Sequence, residues 1–226
     1  MSRKQKLKII IDLLLTVFLL LLMPYGMVGE AAHEWIGVGM LLLFIIHHIL
    51  NRKWLRGLAK GRYTPRRILQ TTVVFLILAG MIGSAVSVMI LSSHVFDFLD
   101  IRGFSAPARV VHMLSAYWGF VLMALHLGFH WGMIMGMMRR AFPEPSPRQT
   151  GIARIVAAAI ACYGCYAFIK RDIFVYMFLR THFVFFDYSE PLVFFILDYA
   201  AVMGMFVFIG YYLCRGLAKS GRKREK

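Results

Sequence analysis

Six apolar runs dominate the 226-residue sequence and leave few folds open to it. They extend from about Leu7 to Met23, Ala31 to Leu50, Ile68 to Leu91, Val110 to Met138, Ile152 to Phe168 and Leu192 to Leu213. Each is long enough, or nearly so, to cross the ~30 Å hydrocarbon core of a bilayer as a helix. With 60% hydrophobic and 15% aromatic residues, a soluble globular domain is excluded. The sequence predicts an all-α, polytopic transmembrane bundle of about six spans, with residues 1–226 forming a single membrane domain. A basic start precedes the first run, as in a signal peptide. Its apolar part is too long for one, however, and Met23, Pro24 and Tyr25 follow where small residues would be cleaved. It is expected to stay as an anchor and first helix.

A net charge of +15 would suggest nucleic acid in a soluble chain, but its placement argues otherwise. Residues 1–8, 51–67, 138–154 and 215–226 hold 21 of the 26 Lys and Arg. With six spans these segments share one side, which the positive-inside rule makes cytoplasmic, with both termini inside. The expected partner of this basic face is membrane lipid, not nucleic acid.

The histidines are patterned. His33 and His47 are fourteen positions apart in the second run, and His112 and His126 are fourteen apart in the fourth. On an α-helix that interval rises about 21 Å and leaves the second side chain about 40° from the first. Each helix therefore presents imidazoles on one face at two depths. The two runs are separated by one crossing and run parallel, so His33 is expected to meet His112 at the outer depth and His47 to meet His126 at the inner. That arrangement suits two bis-histidine b haems, one per leaflet, in a haem-binding core of about residues 31–138 with the first, fifth and sixth helices added to it. At the inner depth His48 and His130 are alternatives: either could replace its neighbour as ligand, contact a propionate or donate to a quinone head group. Arg109, one turn before His112, could pair with an outer propionate or be an ordinary interface arginine. Zinc is the rival metal, but these histidines are spread over two depths with no Cys or Asp beside them.

Other features read as structural. Asp12 lies near the cytoplasmic end of the first run, where its carboxylate can snorkel, and Asp198 is a second intramembrane acid. Glu34 is expected to cap the start of the second helix. Gly80, Gly83, Ser84 and Ser87 form a small-residue face in the third run, and Gly128, Gly132 and Gly136 form a ladder in the fourth. Cys162 and Cys165 read as a buried packing pair. The outer loop holds His94, Asp97, Asp100 and Arg102, and the inner segment Phe142, Pro143, Glu144, Pro145, Ser146, Pro147 reads as a stiff turn. The aromatic stretch Lys170–Pro191 is expected at the outer interface. No phosphate-binding loop or serine elbow is present, which argues against nucleotide binding.

The words HEWIGVGM, HHILNRKW and GRYTPRRI, then RVVHMLSAYWGFVLMALHLGFHW and YGCYAFIKRDIFVYMFLRTHFVFFDYSEP, resemble the flavinylation-associated cytochrome family of bacterial membrane proteins. The likeness extends over most of the chain. It implies a multi-helix b-type cytochrome of the bacterial cytoplasmic membrane that passes electrons outward to extracytosolic flavoproteins carrying covalent FMN. No FMN-binding domain is recognisable in this sequence, so that flavoprotein would be a separate partner. Electrons would enter from a membrane quinol or a cytoplasmic donor, and the chain would be the electron-transfer subunit of a membrane oxidoreductase, with no catalytic residue of its own. Two rivals stand beside this expectation: a non-redox transporter that uses Asp12, Asp198 and the histidines as a proton or metal relay, and a structural membrane subunit.

Overall fold

The computed structural model describes residues 2–58, 60–101, 103–141 and 144–224. Among them the chain forms nine α-helices: α1 (Arg3–Leu22), α2 (Tyr25–Val28), α3 (Glu30–Leu50), α4 (Lys53–Gly57), α5 (Pro65–Leu91), α6 (Ser105–Ala141), α7 (Pro147–Lys170), α8 (Ile173–Met177) and α9 (Leu192–Arg224). Arg102, Phe142 and Pro143 lie outside the described residues, as do the last two residues of the basic tail.

Five helices, α3, α5, α6, α7 and α9, are long and apolar enough to cross a membrane. The chain is thus a multi-pass helical membrane protein. The sixth long helix, α1, carries several charges but runs antiparallel along α3: Lys8 Nζ donates to Asn51 Oδ1 at 2.6 Å, and Phe18 packs where a side chain on Gly39 would stand. Several helices begin before their apolar runs do, because capping side chains set those ends rather than hydropathy. Ser2 with Gln5 and Ser146 with Gln149 form capping boxes, and Thr64 caps α5 ahead of Pro65. The 37-residue α6 would be about 55 Å long, well beyond the hydrocarbon thickness. With an even number of long helices, residues 2–8, 51–58, 60–67, 138–141, 144–154 and 215–224 gather at one end, called here the basic end; the other is the far end.

Lipid tails give apolar helices no hydrophobic reason to choose one another, so small residues decide the neighbours. A Cβ on Gly128 would strike the Val207 backbone of α9, one on Gly164 the Ala201 backbone, and one on Gly210 the Leu125 carbonyl at 2.6 Å. These contacts join α6, α7 and α9, and α5 lies against α6. Gly132 continues the ladder against Tyr211, whereas Gly136 faces open space. The small face of α5 serves the same end, since Gly83 abuts Ser115 and Val111 of α6. By contrast, α3 packs on α1, touches α2 and α5, and has no comparable packing on α6. The bundle is a hairpin, α1 with α3, set beside a block of α5 to α9.

Two expectations need correction. Residues 170–191 do not simply lie at the interface: in α8, Ile173, Tyr176 and Met177 are buried, Trp118 Nε1 donates to the Met177 carbonyl at 2.9 Å, and Tyr117 stacks on Tyr176. An ionic knot fixes this plug. Asp198, 2% exposed, accepts from Tyr163 Oη at 2.6 Å, Lys170 Nζ at 2.9 Å and Arg171 Nε at 2.8 Å, while Arg171 grips Glu190 through both Nη atoms at 2.7 Å. The buried acid is therefore fully bonded. The Cys162 and Cys165 pair is also not buried: both thiols face outward, because Gly164 and Ala167 occupy the face against the block.

Candidate functional site

At the far end, α3 and α6 each present one imidazole to the space between them. The rings of His33 and His112 face one another edge to face, centroids 6.1 Å apart and planes 73° apart. Tyr25, just after α1, sets its ring edge-on to His33 at 5.1 Å. Behind His112 stands Ser87 of α5, its oxygen 3.1 Å from Nδ1. The Ser87 hydroxyl gives its single proton to the Ser84 carbonyl at 2.8 Å, so toward His112 it can only accept. His112 Nδ1 therefore carries the proton and Nε2 keeps its lone pair, the tautomer assigned here from the bonding network. Among the described residues His33 Nδ1 is buried with no hydrogen-bond partner, and so is His126 Nδ1. Buried polar atoms are rarely left so, and these two belong to residues expected as ligands.

At the basic end α3 supplies His47 and His48, α6 supplies His126 and His130, and α1 supplies Asp12. Ring contacts here stay within a helix: His47 with His48 at 5.5 Å and His126 with His130 at 4.8 Å. Among the described residues none crosses from α3 to α6 at this depth. Asp12 Oδ1 is 2.7 Å from His47 Nδ1. Asn51 Nδ2, a donor, stands 3.4 Å from His47 Nε2, so the proton of His47 is on Nδ1 and points to Asp12. Both nitrogens of His47 are thus engaged by protein. His48 donates from Nδ1 to the Phe44 carbonyl at 2.9 Å, which leaves its Nε2 lone pair without a protein partner among the described residues.

No protein-family model, curated protein or solved structure matches this chain.

The remaining candidates fall as follows. Arg109 is exposed and lines a far-end cavity of about 420 Å³ with Pro107, Met113, Leu179 and His182. Glu34 does not cap its own helix. It is buried and accepts from Ser92 Oγ at 2.5 Å and from the backbone N–H groups of Ser93 and Val95 at 2.9 Å each, so it ties α3 to the loop after α5. Among the described residues no three His, Cys, Asp or Glu side chains converge as a closed metal cage would need. What the far end offers instead is a pair of opposed imidazoles. His33 and His112 are the residues that would hold a metal-centred cofactor here, and the orphaned His33 Nδ1 is the observation that fits one. Two residues beside these imidazoles carried no signal for that place in the sequence: Ser87 read as part of a small packing face and Tyr25 had no role, because each meets its histidine only across helices. Asp12 read as a snorkelling carboxylate or a relay acid, and the structure sets it on His47.

Proposed function

We propose that the protein is a di-haem b-type membrane cytochrome that carries electrons across the bacterial cytoplasmic membrane, from quinol or a cytoplasmic donor to an extracytosolic flavoprotein bearing FMN. The observation that carries this reading is the pair His33 and His112, whose rings meet from two helices that otherwise pack mainly on other partners. The fourteen-residue interval sets a second histidine group about 21 Å away along the same helices, the two-depth arrangement that electron passage through a bilayer calls for. Haem b, when bound, supplies the one-electron chemistry. The chain's own residues hold and orient. Ser87 fixes the His112 tautomer, Tyr25 packs on His33, and the apolar helices exclude water. His126 and either His47 or His48 would serve the inner group; His47 and His126 keep the repeat, while His48 is the α3 residue with a free Nε2. The resemblance to flavinylation-associated cytochromes supports the direction of flow and the flavoprotein partner.

The visible absorption spectrum of the purified protein, with haem quantification, tests the reading. It should show reducible low-spin haem at two per chain, and a colourless preparation from haem-replete cells would sink it. Reporters test the orientation: a C-terminal fusion should read cytoplasmic and a tag near Asp97 should be accessible from outside. One observation favours a second reading, a proton-coupled transporter. In the Asp12–His47 pair a carboxylate and an imidazole meet at 2.7 Å, the contact a proton relay would use. The fully bonded Asp198 has no part in it. A colourless but proton-translocating protein would select that reading.

A further inference from the structure

At the basic end of α7 and α9, two arginines from different helices face one cavity. It has a volume of about 340 Å³ and is lined by Arg154 of α7 and by Tyr212, Arg215 and Gly216 of α9. Among the described residues neither guanidinium forms an ion pair; Arg215 Nη1 donates to Tyr211 Oη at 3.3 Å. Gly216 leaves the cavity open, with nothing within 4 Å of where its Cβ would stand. Both helices cross the membrane, so the cavity lies at their ends, and its surroundings are apolar and outward-facing: Ile152, Ile155 and Ile209 are all exposed.

Two unneutralised guanidinium groups on one small cavity repel each other, and an anion between them removes that cost. The planar fork of arginine matches the oxygens of a phosphate, and the tyrosine hydroxyl can add a further donor. We propose that this cavity binds the phosphate of an anionic phospholipid, whose acyl chains run along the apolar outer faces of α7 and α9. Basic cavities between membrane helices are suited to such head groups. Free phosphate offers the same oxygens but gains nothing from the exposed isoleucines, so the lipid is the better occupant. This site is independent of the haem reading.

The test is native mass spectrometry of the full chain in detergent, titrated separately with phosphatidylglycerol, phosphatidylcholine and inorganic phosphate. Wild-type protein should retain phosphatidylglycerol in preference to phosphatidylcholine, and R154Q/R215Q should bind it about tenfold more weakly. Gly216→Leu keeps both charges and fills the cavity, and it should weaken binding as well. The charge-matched control K53Q/R56Q, on α4 at the same end, should bind like wild type. Equal weakening in K53Q/R56Q would mean that the basic end attracts lipid diffusely and would overturn the site, as would unchanged binding in R154Q/R215Q or in Gly216→Leu. Displacement of the lipid by millimolar inorganic phosphate would overturn the lipid as occupant and leave a phosphate site. Among the described residues neither arginine is bonded to an acid, so the thermal midpoint of R154Q/R215Q without added lipid should match wild type and certify its fold.

Discussion

The two histidine groups come from the same spacing on the same pair of helices, yet their surroundings differ in kind. At the far end each helix gives one imidazole, the rings face across the gap, and their neighbours are an aromatic ring and a hydroxyl. At the basic end each helix gives two, the ring contacts stay within a helix, and a carboxylate, an amide and Lys8 are bonded in series behind His47. The difference follows from the neighbouring helices: α2 and α5 supply Tyr25 and Ser87 at the far end, whereas α1 supplies Asp12 and Lys8 at the basic end. One imidazole from each helix gives the far end a single place between them, whereas the basic-end cluster has spare nitrogens that can also exchange protons with a ligand.

The largest expected effect breaks the far pair itself. His33→Ala or His112→Ala should remove one haem of two and leave the spectrum of the other, so bound haem falls by about half. Full haem content with an unaltered low-spin spectrum in either variant would refute the pairing.

The ionic knot can be broken next. Arg171→Ala strips Asp198 and Glu190 of a partner they share and should cost roughly 3 kcal/mol of stability, read as a lower thermal midpoint. The pH dependence has a defined sign. The Arg171 bonds, as the main cause, hold the Glu190 carboxyl below its usual range. A group whose folded-state pKa is depressed stabilises above its unfolded value and loses that contribution as pH falls through the folded one. The thermal midpoint of wild type should therefore exceed that of Glu190→Gln at neutral pH, and the gap should close as pH falls below about 4. A gap that widens in acid would contradict this role.

At the basic end the expected effects are kinetic. His48→Ala or His130→Ala should keep both haems and slow reduction by a quinol analogue, about tenfold for the loss of one hydrogen bond to the quinol, read by stopped-flow absorbance. Loss of haem in His130→Ala, with haem kept in His126→Ala, would make His130 the ligand and end that role for it. Loss of haem in His48→Ala, with haem kept in His47→Ala, would transfer ligation on α3 to the residue whose Nε2 is free.

The smallest change refines the far pair. Ser87→Ala removes the acceptor behind His112 Nδ1, a bond worth about 1 kcal/mol. Haem should remain, bound about tenfold more weakly and with a shifted reduction potential, and Ser87→Thr, which keeps the hydroxyl, should restore both. An unchanged potential in Ser87→Ala would leave Ser87 as packing alone.

The sequence by itself determined the long helices and the spacing of the histidines along them, because hydropathy, caps and the 3.6-residue period act along the chain; the short α2, α4 and α8 left no such signal. It determined which segments gather at the basic end for the same reason. Which helix lies beside which was settled only by tertiary structure. Six apolar helices in lipid are nearly interchangeable by hydrophobicity, and their neighbours are chosen by a glycine that admits a backbone, as Gly128 admits Val207, or by a polar pair such as Lys8 with Asn51. Those choices put α3 against α1 rather than α6, brought Asp12 to His47, carried Glu34 to the loop after α5, and drew α8 into the bundle. None of these contacts leaves a periodic trace in either partner's own stretch of sequence, which is why the positions of the histidines were legible and the company they keep was not.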